Sequence, residues 1–278
     1  MNVVQPPFLD LPARPPKPRT SGLTHVLDKG LPAADLPGRL ATSGRFIDVW
    51  KFGWGTAYLD PGIEAKLAVL ADHDIRACVG GTLLEVAWSQ DKVPEFLAWA
   101  EALGFACVEV SRGAVAMPLD EKRDLIRLAR KAGRTGFTVL SEVGAKDPAA
   151  SARPSQWADE VSGDLAAGAS LVLTEGRESG TVGVFRSDGS VRSDLVETLV
   201  QAVGLSRLVF EAPRKDQQAW FINRFGPEVN LANVAIDETL GLEALRLGLR
   251  ADTLGPVARL PRLRGLPDVG RLTASEQP

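Results

Sequence analysis

Apolar runs of four to seven residues recur along the chain, each ending abruptly in charge or glycine and each followed by a stretch with helical spacing. The plainest case is Phe137 to Asp147, FTVLSEVGAKD, where a run fit for a buried strand gives way to Glu142, a glycine turn and Lys146. The same grammar predicts strands at Leu23 to Leu27, Phe46 to Phe52, Ile75 to Val79, Phe105 to Val110, Ala169 to Thr174, Arg207 to Glu211 and Val229 to Ala235. Helices are predicted over about Ala33 to Ser43, Pro61 to Asp72, Val93 to Leu103, Leu119 to Ala132, Pro154 to Ala167, Ser193 to Val203, Asp216 to Arg224 and Glu238 to Leu249.

Eight strand and helix units in some 230 residues match the repeat number and spacing of a TIM (β/α)8 barrel. The competing architecture is an open doubly wound sheet. It would carry a GxGxxG fingerprint after its first strand and gather its polar residues at one switch point. Here the fingerprint is absent and charge or glycine follows nearly every strand. The barrel is therefore expected to occupy residues 21–254 as one catalytic domain. Proline and arginine mark residues 1–20 as an N-terminal arm and 255–278 as a C-terminal tail.

Composition narrows the function classes. With 45% hydrophobic residues in 278, the chain can bury a large core without staples. A formal net charge of −3 argues against a general nucleic-acid binder. No apolar run has the length of a membrane span and the N-terminus lacks the apolar centre of a secretion signal, so a cytoplasmic protein is expected. Cys78 and Cys107 each lie in an apolar run and read as reduced core thiols. His25, inside the first strand, and His73, at a helix end, read as structural. Trp50 and Trp54 flank Lys51 and read mainly as packing aromatics. The Gly80-Gly81-Thr82 segment reads as a turn, with amides an anion could use.

In a closed barrel all strand ends converge on one mouth. That mouth would bring together Asp28, Lys29, Lys51, Glu109, Arg112, Glu142, Lys146, Glu175, Arg177, Glu178, Glu211, Arg214, Lys215, Asn230 and Asn233. Glu142, Glu175 and Glu211 end successive strands, and carboxylates that close are costly unless a cation stands between them. Oxygen ligands without cysteine or histidine suit a hard ion, and Mg²⁺ is the expected one. Simple pairing with the surrounding lysines and arginines is the alternative. Arg177, Arg214 and Lys215 follow strands six and seven, and Asn233 lies in strand eight, near where barrels commonly seat a phosphate. An anionic substrate is expected.

The segments KPRTSGLTHVLDKGLP, IDVWKFGWGT, GGTLLE, FACVEVSRG, VLSEVGAKD, TEGRESG, VFEAPRKDQQAWFI and VNLANVAIDETLGLEALRLGLRADT, in this order, resemble the phosphosulfolactate synthase family over roughly residues 17–254. The resemblance implies a TIM barrel, usually oligomeric, hence an expected homo-oligomer. The implied enzyme is a carbon–sulfur lyase that uses Mg²⁺ to add sulfite to phosphoenolpyruvate. The product is (2R)-phospho-3-sulfolactate, an early step toward coenzyme M or sulfolactate. It further implies that Mg²⁺ on the substrate carboxylate stabilises the enolate formed when sulfite attacks C3, with Glu142, Glu175 and Glu211 holding or orienting the metal. Lys146 matches the lysine of the family's EVGxK motif and is expected to protonate C2. Lys51, Arg112, Arg177, Arg214, Lys215 and Asn233 are the remaining catalytic or substrate-binding expectations. One departure is Arg112 in VSRG, where the family pattern has Asp or Asn. It admits a relative using another nucleophile or enolic acid. Plant proteins associated with heat stress share the pattern, so a non-catalytic barrel is a further alternative, and a Mg²⁺-dependent aldolase or lyase is a third.

Overall fold

The computed structural model describes residues 8–144 and 153–257. Eight strands run in chain order around a closed parallel barrel, each hydrogen-bonded to the next, with β8 returning to β1. They are β1 (Thr24–Asp28), β2 (Val49–Phe52), β3 (Arg76–Val79), β4 (Cys107–Val110), β5 (Thr138–Val143), β6 (Leu171–Thr174), β7 (Leu208–Glu211) and β8 (Leu231–Val234). The helices among the described residues are α1 (Leu36–Ser43), α2 (Thr56–Leu59), α3 (Ile63–Asp72), α4 (Gly81–Ser89), α5 (Val93–Leu103), α6 (Leu119–Lys131), α7 (Pro154–Ala167), α8 (Ser193–Val203), α9 (Lys215–Phe225), α10 (Thr239–Arg246) and α11 (Leu254–Val257). The TIM barrel expected from the sequence is the fold.

Alternation along the strands sorts the side chains into two sets. Outward residues such as Val26, Trp50, Phe52, Val79, Val108 and Val139 pack with the helices of the first half, and Val143, Val172, Phe210 and Leu231 with those of the second. Inward, Val49, Cys78, Cys107, Leu140, Leu173, Val209 and Ala232 form a separate apolar layer that fills the barrel. Cys78 and Cys107 are free and buried there. Burial and the neighbouring Cys107 push the Cys78 thiol well above its usual range, which leaves it a packing residue.

The first described segment is bound across the end of the barrel where the strands begin. Arg14 pairs with Glu243 at 2.9 Å and with Glu228 at 3.4 Å. Lys17 Nζ donates to the carbonyls of Gly44 (2.9 Å) and His73 (3.0 Å). Arg19 pairs with Asp48 at 3.0 Å. Asn230, read from the sequence as a mouth residue, also belongs to this end: it precedes β8, accepting from the Leu23 amide and donating to the Leu208 carbonyl.

Candidate active site

Two residues beyond the apolar inner layer on each strand, the period-2 rule points the next side chain into the barrel mouth. These positions are Lys51, Gly80, Glu109, Glu142, Glu175 and Glu211, and all six line one cavity of ≈ 300 Å³. Trp54, Gly81, Thr82, Arg177, Glu178 and Asn233 complete most of its wall. The polar layer thus sits directly on an apolar floor, where charges interact more strongly than at an exposed surface.

Lys51 is the hub. Its ammonium lies 2.7 Å from Glu109 Oε2, 3.5 Å from Glu211 Oε1 and 3.6 Å from Glu142 Oε2. Burial alone would lower its pKa, but Glu109, then Glu211 and Glu142, outweigh that and hold it well above the usual lysine range. Lys51 is therefore a fixed positive charge. Below it His25 is buried with both ring nitrogens unpartnered among the described residues. Burial and the Lys51 charge keep that imidazole's pKa well below its usual value, so it is neutral.

Backbone amides hold two of the glutamates. Glu211 Oε2 accepts from the amides of Gly176 (2.9 Å) and Arg177 (3.2 Å), and Glu175 Oε1 accepts from the Arg177 amide at 2.8 Å. Arg177 reaches both by adopting φ +53°, a left-handed conformation that costs energy outside glycine and clusters at functional sites. Even so, burial raises the Glu211 carboxyl to about 7; Lys51 works against the rise while Glu142 and Glu109 add to it. Glu142 Oε1 is buried and has no hydrogen-bond partner among the described residues.

Asn233 enters the cavity by a different route. Between β1 and β8 the pairing shifts, so that Thr24 to Val26 opposes Leu231 to Val234. The extra residue is a bulge, and Asn233 within it takes φ +56°. Ala232 keeps its place in the apolar layer while Asn233 lines the cavity with a buried Oδ1 that has no partner among the described residues.

The structure brings together Lys51, Glu142, Glu175, Glu211, Arg177 and Asn233 of the expected set. It does not bring Arg112, Arg214 or Lys215 to the cavity wall. Arg112 gives its guanidinium to Glu160 of α7, at 3.1 and 3.2 Å. Arg214 is the N-cap of α9, with its guanidinium against the Gly189 turn. Lys215 pairs with Asp252 at 2.6 Å on the surface. Lys146 lies outside the described residues. Asp28 is likewise committed: it accepts from Lys66 (2.9 Å) and from the Trp50 indole (3.1 Å). Trp54 differs from Trp50 in being half exposed at the cavity rim, with φ 52°.

Two features were underread. Glu109 was one charged strand end among many, yet it is the nearest partner of Lys51; its place two residues after Cys107 carries the signal. Gly80-Gly81-Thr82 is no mere turn. It opens α4, and the Gly81 amide donates to Glu109 Oε1 at 3.0 Å. A Cβ at Gly81 would sit 2.1 Å from Ser111 Oγ, so only glycine lets the helix start this close to the barrel.

The (2R)-phospho-3-sulfolactate synthase (ComA) family matches residues 12–252. The chain belongs to this family. It is 44% identical over 244 residues to the phosphosulfolactate synthase of Methanocaldococcus jannaschii, covering 85% of this chain and 95% of that one. It is 41% identical over 248 residues to that of Bacillus subtilis, covering 88% and 97%. Among solved structures it resembles 3-hexulose-6-phosphate synthase with a TM-score of 0.54 and 18% identity, over 81% of this chain and 97% of the other. That likeness is one of fold. The family's match runs from the docked N-terminal segment through all eight strands, and so spans every strand end that lines the cavity.

Proposed function

We propose that the chain adds sulfite to C3 of phosphoenolpyruvate, giving (2R)-phospho-3-sulfolactate, with Mg²⁺ as cofactor. Membership of the phosphosulfolactate synthase family supports the product, and sulfite and phosphoenolpyruvate are the substrates this reading assigns to it. What carries the reaction onto this chain is the lysine-centred ring of buried carboxylates at the strand ends. Among the described residues the cavity wall holds Glu109, Glu142, Glu175, Glu178 and Glu211 against Lys51 and Arg177. A trianionic substrate would be repelled by that surplus unless a further cation joined it.

The donor set fits a hard divalent ion, though not a closed cage: no group of three carboxylate, imidazole or thiol residues among the described residues is arranged to enclose a metal. Mg²⁺ is commonly held by one or two carboxylates and completed by water and substrate oxygens. Glu142, whose Oε1 has no partner among the described residues, is the first candidate ligand, and Glu175 and Glu211 line the same cavity. When bound, the ion would draw negative charge toward the substrate carboxylate and so make C3 electrophilic.

The chain's own residues divide the remaining work. Lys51 stays protonated and offers a fixed positive charge to an anion, which makes it a poor proton donor and a good electrostatic partner. Arg177 and the Asn233 amide stand on the wall where phosphate or carboxylate oxygens can reach them. As the sulfur lone pair forms the C–S bond, the C2–C3 π pair moves toward C2, and a proton delivered to one face of C2 completes the product. Lys146, from the EVGxK match, is the proposed donor. No electron acceptor and no co-substrate beyond sulfite is needed, in keeping with a carbon–sulfur lyase run toward synthesis.

The test is incubation of the purified protein with phosphoenolpyruvate, Mg²⁺ and sulfite, following a new phosphorus resonance and the sulfonate mass. Product formation is expected. Bound phosphoenolpyruvate without product would point to another nucleophile. A folded protein that neither binds nor converts it would favour the non-catalytic reading.

A further inference from the structure

The side chain of Glu142 is loosely held inside the cavity. Its Oε2 stands 3.6 Å from Lys51 and its Oε1 is unpartnered among the described residues. Something else must aim it. In β5 the carbonyls of Val139 and Val143 accept from Ser170 and Glu175, on the β6 side. By alternation along a parallel ladder the Glu142 carbonyl faces the β4 side. But β4 ends at Val110, paired with Ser141, so the ladder stops one residue short of Glu142. Lys122 of α6 supplies the missing donor, its Nζ 2.8 Å from the Glu142 carbonyl.

Lys122 is fully buried, and a buried ammonium needs compensation. It finds Asp164 at 2.7 Å and Glu160 at 2.8 Å, both on α7. Asp164 also accepts from the Ser141 hydroxyl at 2.5 Å, so two consecutive residues at the end of β5 are gripped from outside the barrel. Glu160 in turn takes the two-pronged guanidinium of Arg112, in the loop just after β4. Burial would raise the Glu160 carboxyl, but Lys122 and Arg112 hold it below its usual value, so it remains charged.

We propose that Lys122 is a positioning residue for Glu142, replacing a ladder bond that β4 does not reach, and that Arg112 secures it through Glu160. This rests on the reading of Glu142 as a site residue. It also gives Arg112, the departure from the family's Asp or Asn, a role outside the cavity.

Arg112→Gln and Lys122→Met test it, with Arg112→Lys as the conservative rescue. Lys122→Met takes from Glu160 and Asp164 their fully buried cation and can fail to fold; Arg112, about 35% exposed, can be replaced without that hazard. Hydrogen exchange by mass spectrometry should show protection falling about 10-fold over residues 137–144 in Arg112→Gln, with β2 and β7 unchanged. Turnover of phosphoenolpyruvate and sulfite should fall about 10-fold in kcat with KM within about two-fold, since misplacement costs rate more than binding. Arg112→Lys should recover part of both. Uniform loss of protection around the barrel, or normal kcat despite local loss at β5, would overturn the proposal. If the wild type shows no turnover, the proposed reaction fails instead, and the exchange pattern alone decides the positioning: local loss supports it, uniform or no loss defeats it.

Discussion

Lys51 and Glu211 hold the same contact and opposite fates. Around Lys51 three carboxylates converge, so its charge is secure; around Glu211 burial and two other glutamates work against ionisation, so its proton leaves only near pH 7. Because the folded pKa of Glu211 lies above the unfolded value of 4.5, the folded protein binds more protons than the unfolded chain between about pH 4.5 and 7. Its contribution is therefore complete below pH 4.5 and is lost as pH rises through 7, amounting to about 3 kcal/mol. In chelator, thermal stability of the wild type should fall across that window relative to Glu211→Gln, whose profile should be flatter; parallel profiles would count against the raised carboxyl. Lys51→Met removes the hub and leaves Glu109, Glu142 and Glu211 facing one another. It should lower stability by about 3–5 kcal/mol at neutral pH and turnover by at least about 100-fold, with stability partly restored in acid as the carboxyls take up protons. These roles were only half legible. Alternation identifies which strand residues face inward, and by that rule Glu109 stands out as well as Glu142 does. Which carboxylate lies nearest the lysine depends on barrel closure, and the Asn233 bulge on backbone pairing that no local pattern encodes.

At the scale of elements, helices with strong punctuation were readable to the residue. Val93–Leu103 and Pro154–Ala167 begin with proline in the first turn and end at Gly104 and Gly168, both left-handed. α4 was not, because its N-cap is Gly80 and its first residue Gly81, and two glycines followed by threonine look like a break. The predicted strand starts fall too early where a tight turn precedes the sheet: the range Phe46 to Phe52 begins on the last residue of a turn at Gly44–Phe46, and the strand begins at Val49. The N-terminal arm runs against its composition. Proline and arginine suggest disorder, yet Arg14 binds Glu243, 229 residues away, and Lys17 caps two carbonyl ends near the base of β3. Charge-assisted bonds of this kind contribute about 1–3 kcal/mol each. Deleting residues 1–20 should therefore lower the Tm by roughly 10 °C. Activity at 20 °C should persist, because Arg14, Lys17 and Arg19 bind at the end of the barrel opposite the cavity. Loss of turnover in a deletion variant that still melts cooperatively would show that the arm reaches the chemistry.

For the whole molecule, the barrel concentrates negative charge where its proposed substrate is also negative, and the resolution of that conflict has a measurable consequence. If a divalent ion is held by Glu142 with one or two neighbours and completed by substrate oxygens, neither ion nor substrate binds well alone. The ion lacks ligands, and the substrate meets a carboxylate ring countered, among the described residues of the wall, by Lys51 and Arg177. Together each supplies what the other lacks, and linkage makes the gain reciprocal. Ligand that binds only the folded state stabilises it by about 2.7 kcal/mol at a hundred times its Kd, a shift of roughly 5–10 °C for a chain of this size. The expected pattern is a small Tm change with Mg²⁺ alone, a small one with phosphoenolpyruvate alone, and a shift with both that exceeds their sum. Glu142→Gln should abolish the excess while leaving the unliganded Tm within a few degrees, since among the described residues the carboxylate it replaces has an unpartnered oxygen and one long contact, to Lys51. A full shift with phosphoenolpyruvate in the presence of chelator would instead show that Lys51, Arg177 and the remaining basic groups suffice, and the ion would lose its place at the mouth.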